Sequence, residues 1–179
     1  MLTEIVISGF GGQGVLFAGK CLAYAGMLAG MEVSWLPSYG PEMRGGTANC
    51  SVCLSDRQIG SPLINEPDIL IAMNTPSFDR FADSVKPDGN IFVDNSITNR
   101  ISGRDDILCK YIPASQTAQE NELVGMANII LLGNVLKHCS EQLDGVNLET
   151  LKGAFNHIIP QSKHSLAEKN IKALMLGMA

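Results

Sequence analysis

Residues Glu4–Lys20 read EIVISGFGGQGVLFAGK. Ile5-Val6-Ile7 is apolar without alternation, which predicts a strand over Glu4–Ser8 that is buried on both faces. From Val15 the period changes. Leu16, Ala18, Leu22, Ala25 and Ala29 fall at helical spacing, and Gly30 follows as a stop. Between the two segments lie three glycines spaced Gly9-x-Gly11-x-x-Gly14. In a strand-turn-helix setting Gly9 permits a tight turn, Gly11 removes a side chain where a ligand would approach, and Gly14 lets the helix pack on the strand. The first N–H groups of such a helix have no intrahelical partner and carry about half a unit of positive charge, so an anion is the natural occupant.

A dinucleotide site would place Asp or Glu at the end of the second strand to hold the ribose hydroxyls. Here the second strand, Glu32–Leu36, is expected to end at Pro37, and Leu36-Pro37-Ser38 offers no acid. A turn whose glycines serve packing alone also fits. The remaining reading is some other anionic group.

The rest of the chain alternates strands and helices. Strands are expected at Asp68–Met73, Asn90–Asp94 and Ile107–Ile112, with a short helix over Pro76–Val85. Helical patterns follow over Ser115–Leu123, Val124–Cys139, Asn147–Ile159 and Ser165–Met178. Asn147 is a good cap for the helix starting at Leu148, while Glu149 falls one short of the capping-box position. One segment breaks the alternation: too few residues separate Leu36 from Thr47 for a parallel crossover of about a dozen residues, so Thr47–Ser55 is expected to run antiparallel to a neighbour. The pattern predicts an α/β, Rossmann-like, three-layer fold with a mainly parallel sheet, some antiparallel pairing and helices on both faces. A single domain over residues 1–179 is the economical reading.

Composition narrows the function classes. Thirteen Lys and Arg against eighteen Asp and Glu give a net charge of −5, without the basic excess that nucleic acid or an anionic membrane requires. The start of the chain lacks the basic and cleavage features of a signal peptide, and Val124–Leu136 is too short to span a bilayer, so a cytoplasmic location is expected. Five cysteines leave one unpaired in any disulfide scheme and suit a reducing compartment. Cys50-x-x-Cys53 lies in an expected strand, where a spacing of three points the thiols to opposite faces and argues against a shared metal. Cys109 is expected to act as a small buried hydrophobe. His138, His157 and His164 have no partner at triad or ligand spacing. Asp94-Asn95-Ser96 suits a turn, a cap or a ligand contact.

A second unusual segment is Pro37-Ser38-Tyr39-Gly40-Pro41-Glu42-Met43-Arg44-Gly45-Gly46. Ligands of doubly wound sheets bind beyond the carboxyl ends of the strands, so this loop and the glycine turn should face one cavity. A rigid surface turn with a Glu42–Arg44 pair is the plainer alternative.

Together, Gly9-Phe10-Gly11-Gly12-Gln13-Gly14 and that loop resemble the gamma subunit of 2-oxoacid:ferredoxin oxidoreductases, a module also found fused in single-chain pyruvate and indolepyruvate oxidoreductases. The likeness continues through Ser61-Pro62, Asn74-Thr75-Pro76, and the helix with Asn128 and Leu132-Gly133. The resemblance implies a cytoplasmic complex that decarboxylates a 2-oxoacid, 2-oxoglutarate favoured, on thiamine diphosphate with Mg, passes electrons through iron–sulfur clusters to ferredoxin, and gives the acyl group to coenzyme A. It implies alpha, beta and delta subunits as partners, with a homodimer conceivable in isolation. The chain carries neither a thiamine-type Gly-Asp-Gly motif nor a ferredoxin-type cysteine run, so those cofactors would belong to other subunits.

On this reading no residue of the chain is assigned catalysis. Backbone N–H groups of Gly11, Gly12, Gln13 and Gly14 would bind an anion, most plausibly a coenzyme A phosphate, with Gly9 shaping the turn. Gln13 would orient loop or ligand, and Arg44 would supply fixed charge positioned by Glu42. Tyr39 would wall the cavity, and Gly45 and Gly46 complete the loop. A noncatalytic assembly module and an independent nucleotide-binding oxidoreductase are the alternatives.

Overall fold

The computed structural model of the chain describes residues 1–39 and 46–179. Glu42, Arg44 and Gly45 therefore lie outside the described residues. The elements run β1 (Leu2–Phe10), α1 (Val15–Leu28), β2 (Glu32–Tyr39), β3 (Thr47–Ser55), β4 (Ile69–Ala72), α2 (Thr75–Phe81), β5 (Asn90–Asp94), β6 (Leu108–Ile112), α3 (Ala114–Glu120), α4 (Ala127–His138), α5 (Leu148–Ile158) and α6 (His164–Met178). The strands form one sheet in the order β2-β3-β1-β4-β5-β6.

β1 pairs parallel with β4, and β4, β5 and β6 continue in parallel. On its other side β1 pairs antiparallel with β3, which pairs antiparallel with β2, so β2 points the same way as β1. The antiparallel character expected of Thr47–Ser55 is thus present. It inserts β3 between the two strands that a regular βαβ unit would make neighbours.

β4 and β6 lie within a residue of the sequence reading at each end, whereas two strands run well past it. β1 extends beyond Glu4–Ser8 because its ladder with β3 runs from Leu2 opposite Ser55 to Phe10 opposite Thr47, past the apolar run. β2 continues through Pro37 to Tyr39 rather than stopping at Leu36. It is an edge strand, where a residue without an N–H is tolerated.

Alternation along the strands sorts the core into two layers. Ile5, Ile7, Cys50, Val52, Ile71 and Phe92 face the helices α1, α3, α4, α5 and α6. Val6, Leu70, Ala72, Ile91 and Val93 face α2 and the turn after it, through Phe78, Ala82 and Val85. Helices on both faces of a mixed, mainly parallel sheet make this an α/β, Rossmann-like fold. Each layer follows from the period-two placement of apolar side chains.

The expected buried helix is α4, which runs Ala127–His138 rather than Val124–Cys139 because Gly125 has φ +86 and turns the chain just before it. At α5, Asn147 accepts from the N–H groups of Glu149 and Thr150, and the Thr150 hydroxyl accepts from the Asn147 N–H. Thr150, not an acidic residue, completes the capping box.

α4 and α6 approach backbone to backbone. A Cβ on Gly177 would collide with the Ile130 carbonyl oxygen, and one on Gly133 with the Leu174 carbonyl oxygen. Neither obstacle is a flexible side-chain end. Gly177→Ala is expected to cost about 3 kcal/mol in urea unfolding, the upper range for an overpacked contact. A loss below about 1 kcal/mol would show that the helices separate freely.

Candidate functional site

The parallel strands all end on one side, and the glycine turn stands there at the end of β1. Gly9 sits where the turn leaves the sheet: a Cβ would lie 2.7 Å from Gln13 Oε1 and 2.9 Å from Val15 Cγ2. Gly12 and Gly14 have φ of +100 and +74, the left-handed region that disfavours side chains. Gly14 is also closed to a Cβ by the Asn128 amide 2.5 Å away.

Gln13 explains the geometry. Its Oε1 accepts from the Phe10 N–H at 2.6 Å and from Asn74 Nδ2 at 3.2 Å, while its Nε2 donates to the Met73 carbonyl at 3.2 Å. Asn74 in turn caps α2 by accepting from the Ser77 N–H at 2.9 Å. The turn is thereby tied to the ends of β1 and β4 and the start of α2. Of the two roles expected for Gln13, orienting the loop is the one these contacts describe.

The turn's own N–H groups divide. Gly11 donates to the Gly46 carbonyl at 2.9 Å and Gln13 to the Phe10 carbonyl at 3.1 Å, so both are committed within the protein. Gly12 and Gly14 make no hydrogen bond through their N–H groups among the described residues. Neither does the first turn of α1, whose cap Gly14 has no side chain to serve it. The donors open to an anion are therefore fewer than four consecutive residues.

Clefts surround these donors. One of about 320 Å³ is lined by Gly11, Gly12, Gly14, Phe17 and Tyr39. Tyr39 and Gly46, the described residues on either side of the loop, thus both meet the turn. A larger cleft of about 510 Å³ lies on the other flank, against Gly12, Gln13, Met73, Ser115, Gln119 and Val124. Val124 is 79% exposed at its rim. A third of about 210 Å³ opens between Gly14, Phe17, Gly125 and Asn128.

Ser115 and Gln119 were not singled out from sequence. Nothing local marks them: they reach the site on α3, which starts from the end of β6 on the side of the sheet where β1 also ends. Asp94 is fully buried at the end of β5 and accepts from the Ser96 N–H at 3.1 Å and the Ser115 hydroxyl at 2.5 Å. It is a turn and helix-end residue, one of the roles its sequence allowed.

β3 also bears on the dinucleotide reading. With β3 between them, the ends of β1 and β2 stand two strand spacings apart, roughly 10 Å, which removes the ribose-holding position from beside the turn.

Cys50 faces α1, its thiol near the Val15 carbonyl, whereas Cys53 sits on the opposite face. Burial pushes the Cys50 thiol up to about 12 and the Cys53 thiol up to about 11. Burial likewise raises Cys21 and Cys139 to about 12. Cys109 is only half-buried, so it packs less completely than its apolar setting suggests.

A family model described as pyruvate ferredoxin/flavodoxin oxidoreductase matches residues 4–179. The chain belongs to this family. Within it, the ketoisovalerate oxidoreductase subunit VorA of Methanothermobacter thermautotrophicus is 38% identical over 174 residues, covering 97% of this chain and 35% of VorA. The chain thus spans about a third of that relative's length. The 2-oxoglutarate synthase subunit KorC of Methanocaldococcus jannaschii is 34% identical over 181 residues, covering 99% of this chain and 92% of KorC. In fold, the chain is similar to the keto/oxoacid ferredoxin oxidoreductase gamma subunit of Geobacter sulfurreducens PCA, with a TM-score of 0.81, 27% identity, and coverage of 98% and 96% of the two chains.

Two outcomes follow for the family's glycine turn and cysteines. Gln13→Ala leaves the Phe10 N–H and the Asn74 amide short of an acceptor and is expected to lower stability by roughly 1–3 kcal/mol in thermal unfolding. No measurable loss would mean that water replaces the amide. At pH 8 a thiol reagent should label Cys109 first in the folded chain and all five cysteines only after denaturation. Rapid labelling of Cys50 would contradict its burial.

Proposed function

We propose that the chain is the gamma-type subunit of a multisubunit 2-oxoacid:ferredoxin oxidoreductase and supplies an anion-binding wall of the active-site cavity. The complex would oxidatively decarboxylate a 2-oxoacid, transfer the acyl group to coenzyme A and reduce ferredoxin. Family membership and the KorC and VorA relatives support the reaction class. KorC, matched over nearly its whole length, favours 2-oxoglutarate as substrate.

The observation that carries the wall is the pair of N–H groups at Gly12 and Gly14 that have no acceptor among the described residues, continued by the first turn of a helix of fourteen residues. Such a cluster binds a phosphate without a base or nucleophile on the same chain. Gly9 and Gln13 shape and brace the turn, Gly11 is tethered to Gly46, and Tyr39 walls one side. Arg44 is the cationic partner and Glu42 its positioning residue, with Gly45 and Gly46 beside them in the sequence. Covalent reach supports the assignment: two residues of chain extend no more than about 7 Å, and Arg44 is two residues from Gly46.

Thiamine diphosphate with its magnesium would supply the carbon nucleophile and electron sink for decarboxylation, and iron–sulfur clusters would take the electrons, in alpha, beta and delta subunits. Among the described residues no three His, Cys, Asp or Glu side chains group to hold a metal ion. The buried carboxylate nearest the strand ends, Asp94, is engaged with Ser96 and Ser115. On this reading metal and cluster chemistry belongs to the partner subunits, and binding and orientation to this chain, the described residues included. Among them no helix is long and apolar enough to cross a membrane.

Arg44→Ala in the assembled complex is expected to raise the coenzyme A Michaelis constant about tenfold or more, as loss of a charge-assisted contact should. If both Michaelis constants and the turnover stay unchanged, the wall is not where the anion binds. If the complex instead falls apart, the loop serves assembly.

A further inference from the structure

Buried polar side chains gather behind the glycine turn. Ser8, Asn74, Ser77 and Thr98 are each 3% exposed or less. Polar groups are costly to keep from water unless each finds a partner, and here each does. Ser8 Oγ donates to Ser77 Oγ at 2.9 Å, which ties α2 to the end of β1. Thr75 Oγ1 donates to Thr98 Oγ1 at 2.9 Å and the Thr98 N–H to the Asp94 carbonyl at 3.1 Å, which ties the same helix to the end of β5. The first turn of α2 is thereby a fixed post.

Asn74 stands on that post with its amide orientation determined. Its Oδ1 accepts from the Ser77 N–H at 2.9 Å, so the other arm of the amide is the donor Nδ2, which meets Gln13 Oε1 at 3.2 Å. The same Gln13 oxygen takes the Phe10 N–H at 2.6 Å. Two of the three partners of Gln13 are backbone groups, of Phe10 and Met73, which a residue of almost any type would supply. Asn74 alone contributes through its side chain. Serine or aspartate caps a helix as well as asparagine does, but an ionised aspartate has no proton to give Gln13 and a serine hydroxyl is one bond shorter than the amide. The cap by itself therefore does not call for an amide.

We propose that Asn74 is a positioning residue for the reaction, acting through Gln13 to hold the glycine turn in the form that receives a ligand. This rests on the reading of the turn as an anion-binding wall. Asn74 is buried and works at one remove: its Nδ2 restrains the Gln13 amide, and that amide restrains the backbone from Phe10 to Gly14. A looser turn would lose more entropy on closing around an anion.

The test is a double-mutant cycle in the assembled complex, read as the Michaelis constant of coenzyme A. Asn74→Ser keeps a capping oxygen for the Ser77 N–H and loses the donor to Gln13. It should raise that constant roughly fivefold, the worth of one neutral hydrogen bond, with turnover within about twofold. In the Gln13→Ala background the same substitution should change the constant by less than about twofold, because the group it acts through is gone. An equal factor in both backgrounds would overturn the proposal. So would an unchanged constant in Asn74→Ser where Gln13→Ala raises it.

Amide hydrogen exchange in the full chain gives a second readout that needs no coenzyme A. In Asn74→Ser the Phe10 N–H should exchange about fivefold faster, while the Ser77 N–H, still capped, stays within about twofold of the wild type. Unchanged exchange at Phe10, or equal acceleration at Phe10 and Ser77, would mean that Asn74 serves the helix alone, and the proposal fails. This measurement decides the matter if Gln13→Ala does not assemble. Failure of the anion-wall reading looks different: Phe10 exchange accelerates, yet Asn74→Ser and Gln13→Ala both leave the coenzyme A constant unmoved.

Discussion

In the turn after β1, one primary amide makes three hydrogen bonds at once. Gln13 takes the Phe10 N–H and the Asn74 amide on its oxygen and gives a proton to the Met73 carbonyl. These contacts span the exit of β1, the exit of β4 and the cap of α2. They also hold the backbone so that Gly12 and Gly14 adopt left-handed φ while their N–H groups find no acceptor among the described residues. The glycines permit that conformation, and the glutamine selects it. An unbraced glycine turn would lose entropy each time it closed on a ligand, so the brace is a form of preorganisation.

The second constraint is the insertion of β3. It fills the sheet position next to β1 with an antiparallel strand and moves β2 to the edge. The side of the turn that would meet a nucleotide ribose instead meets Tyr39 and Ala48. Within β3 the alternation of the strand sends Cys50 toward α1 and Cys53 away from it, so the C-x-x-C spacing carries no shared chemistry. The strand order thus moves the usual ribose-holding position away from the turn, and the strand's alternation separates the two thiols.

Much of this was legible because it is local. The apolar run Ile5-Val6-Ile7, the glycine spacing and the missing acid after Leu36 sit within a few residues of one another, and local sterics determine what they can do. The antiparallel course of Thr47–Ser55 followed from loop length alone. Pro37 misled because its effect depends on whether the strand lies at an edge, which no short stretch reveals. Gln13 was recognised as important, but its three partners come from β1, β4 and the α2 cap, two of them sixty residues away. Asn128 was visible only as part of a resemblance, and its hydrogen bond to the Gly14 carbonyl joins residues far apart in the chain. Ser115 and Gln119 reach the large cleft through the strand order, and their surroundings in the chain carry no mark of it.

The central claim is that the uncommitted amides of Gly12 and Gly14 bind an anionic group of the cosubstrate in the assembled complex. An experimental structure of that complex with coenzyme A bound tests it most directly. The account predicts phosphate oxygens within hydrogen-bond distance, about 3 Å, of both N–H groups. Finding those N–H groups bonded to a carbonyl or carboxylate of a neighbouring subunit, with coenzyme A held elsewhere, would contradict it and make the turn an assembly contact.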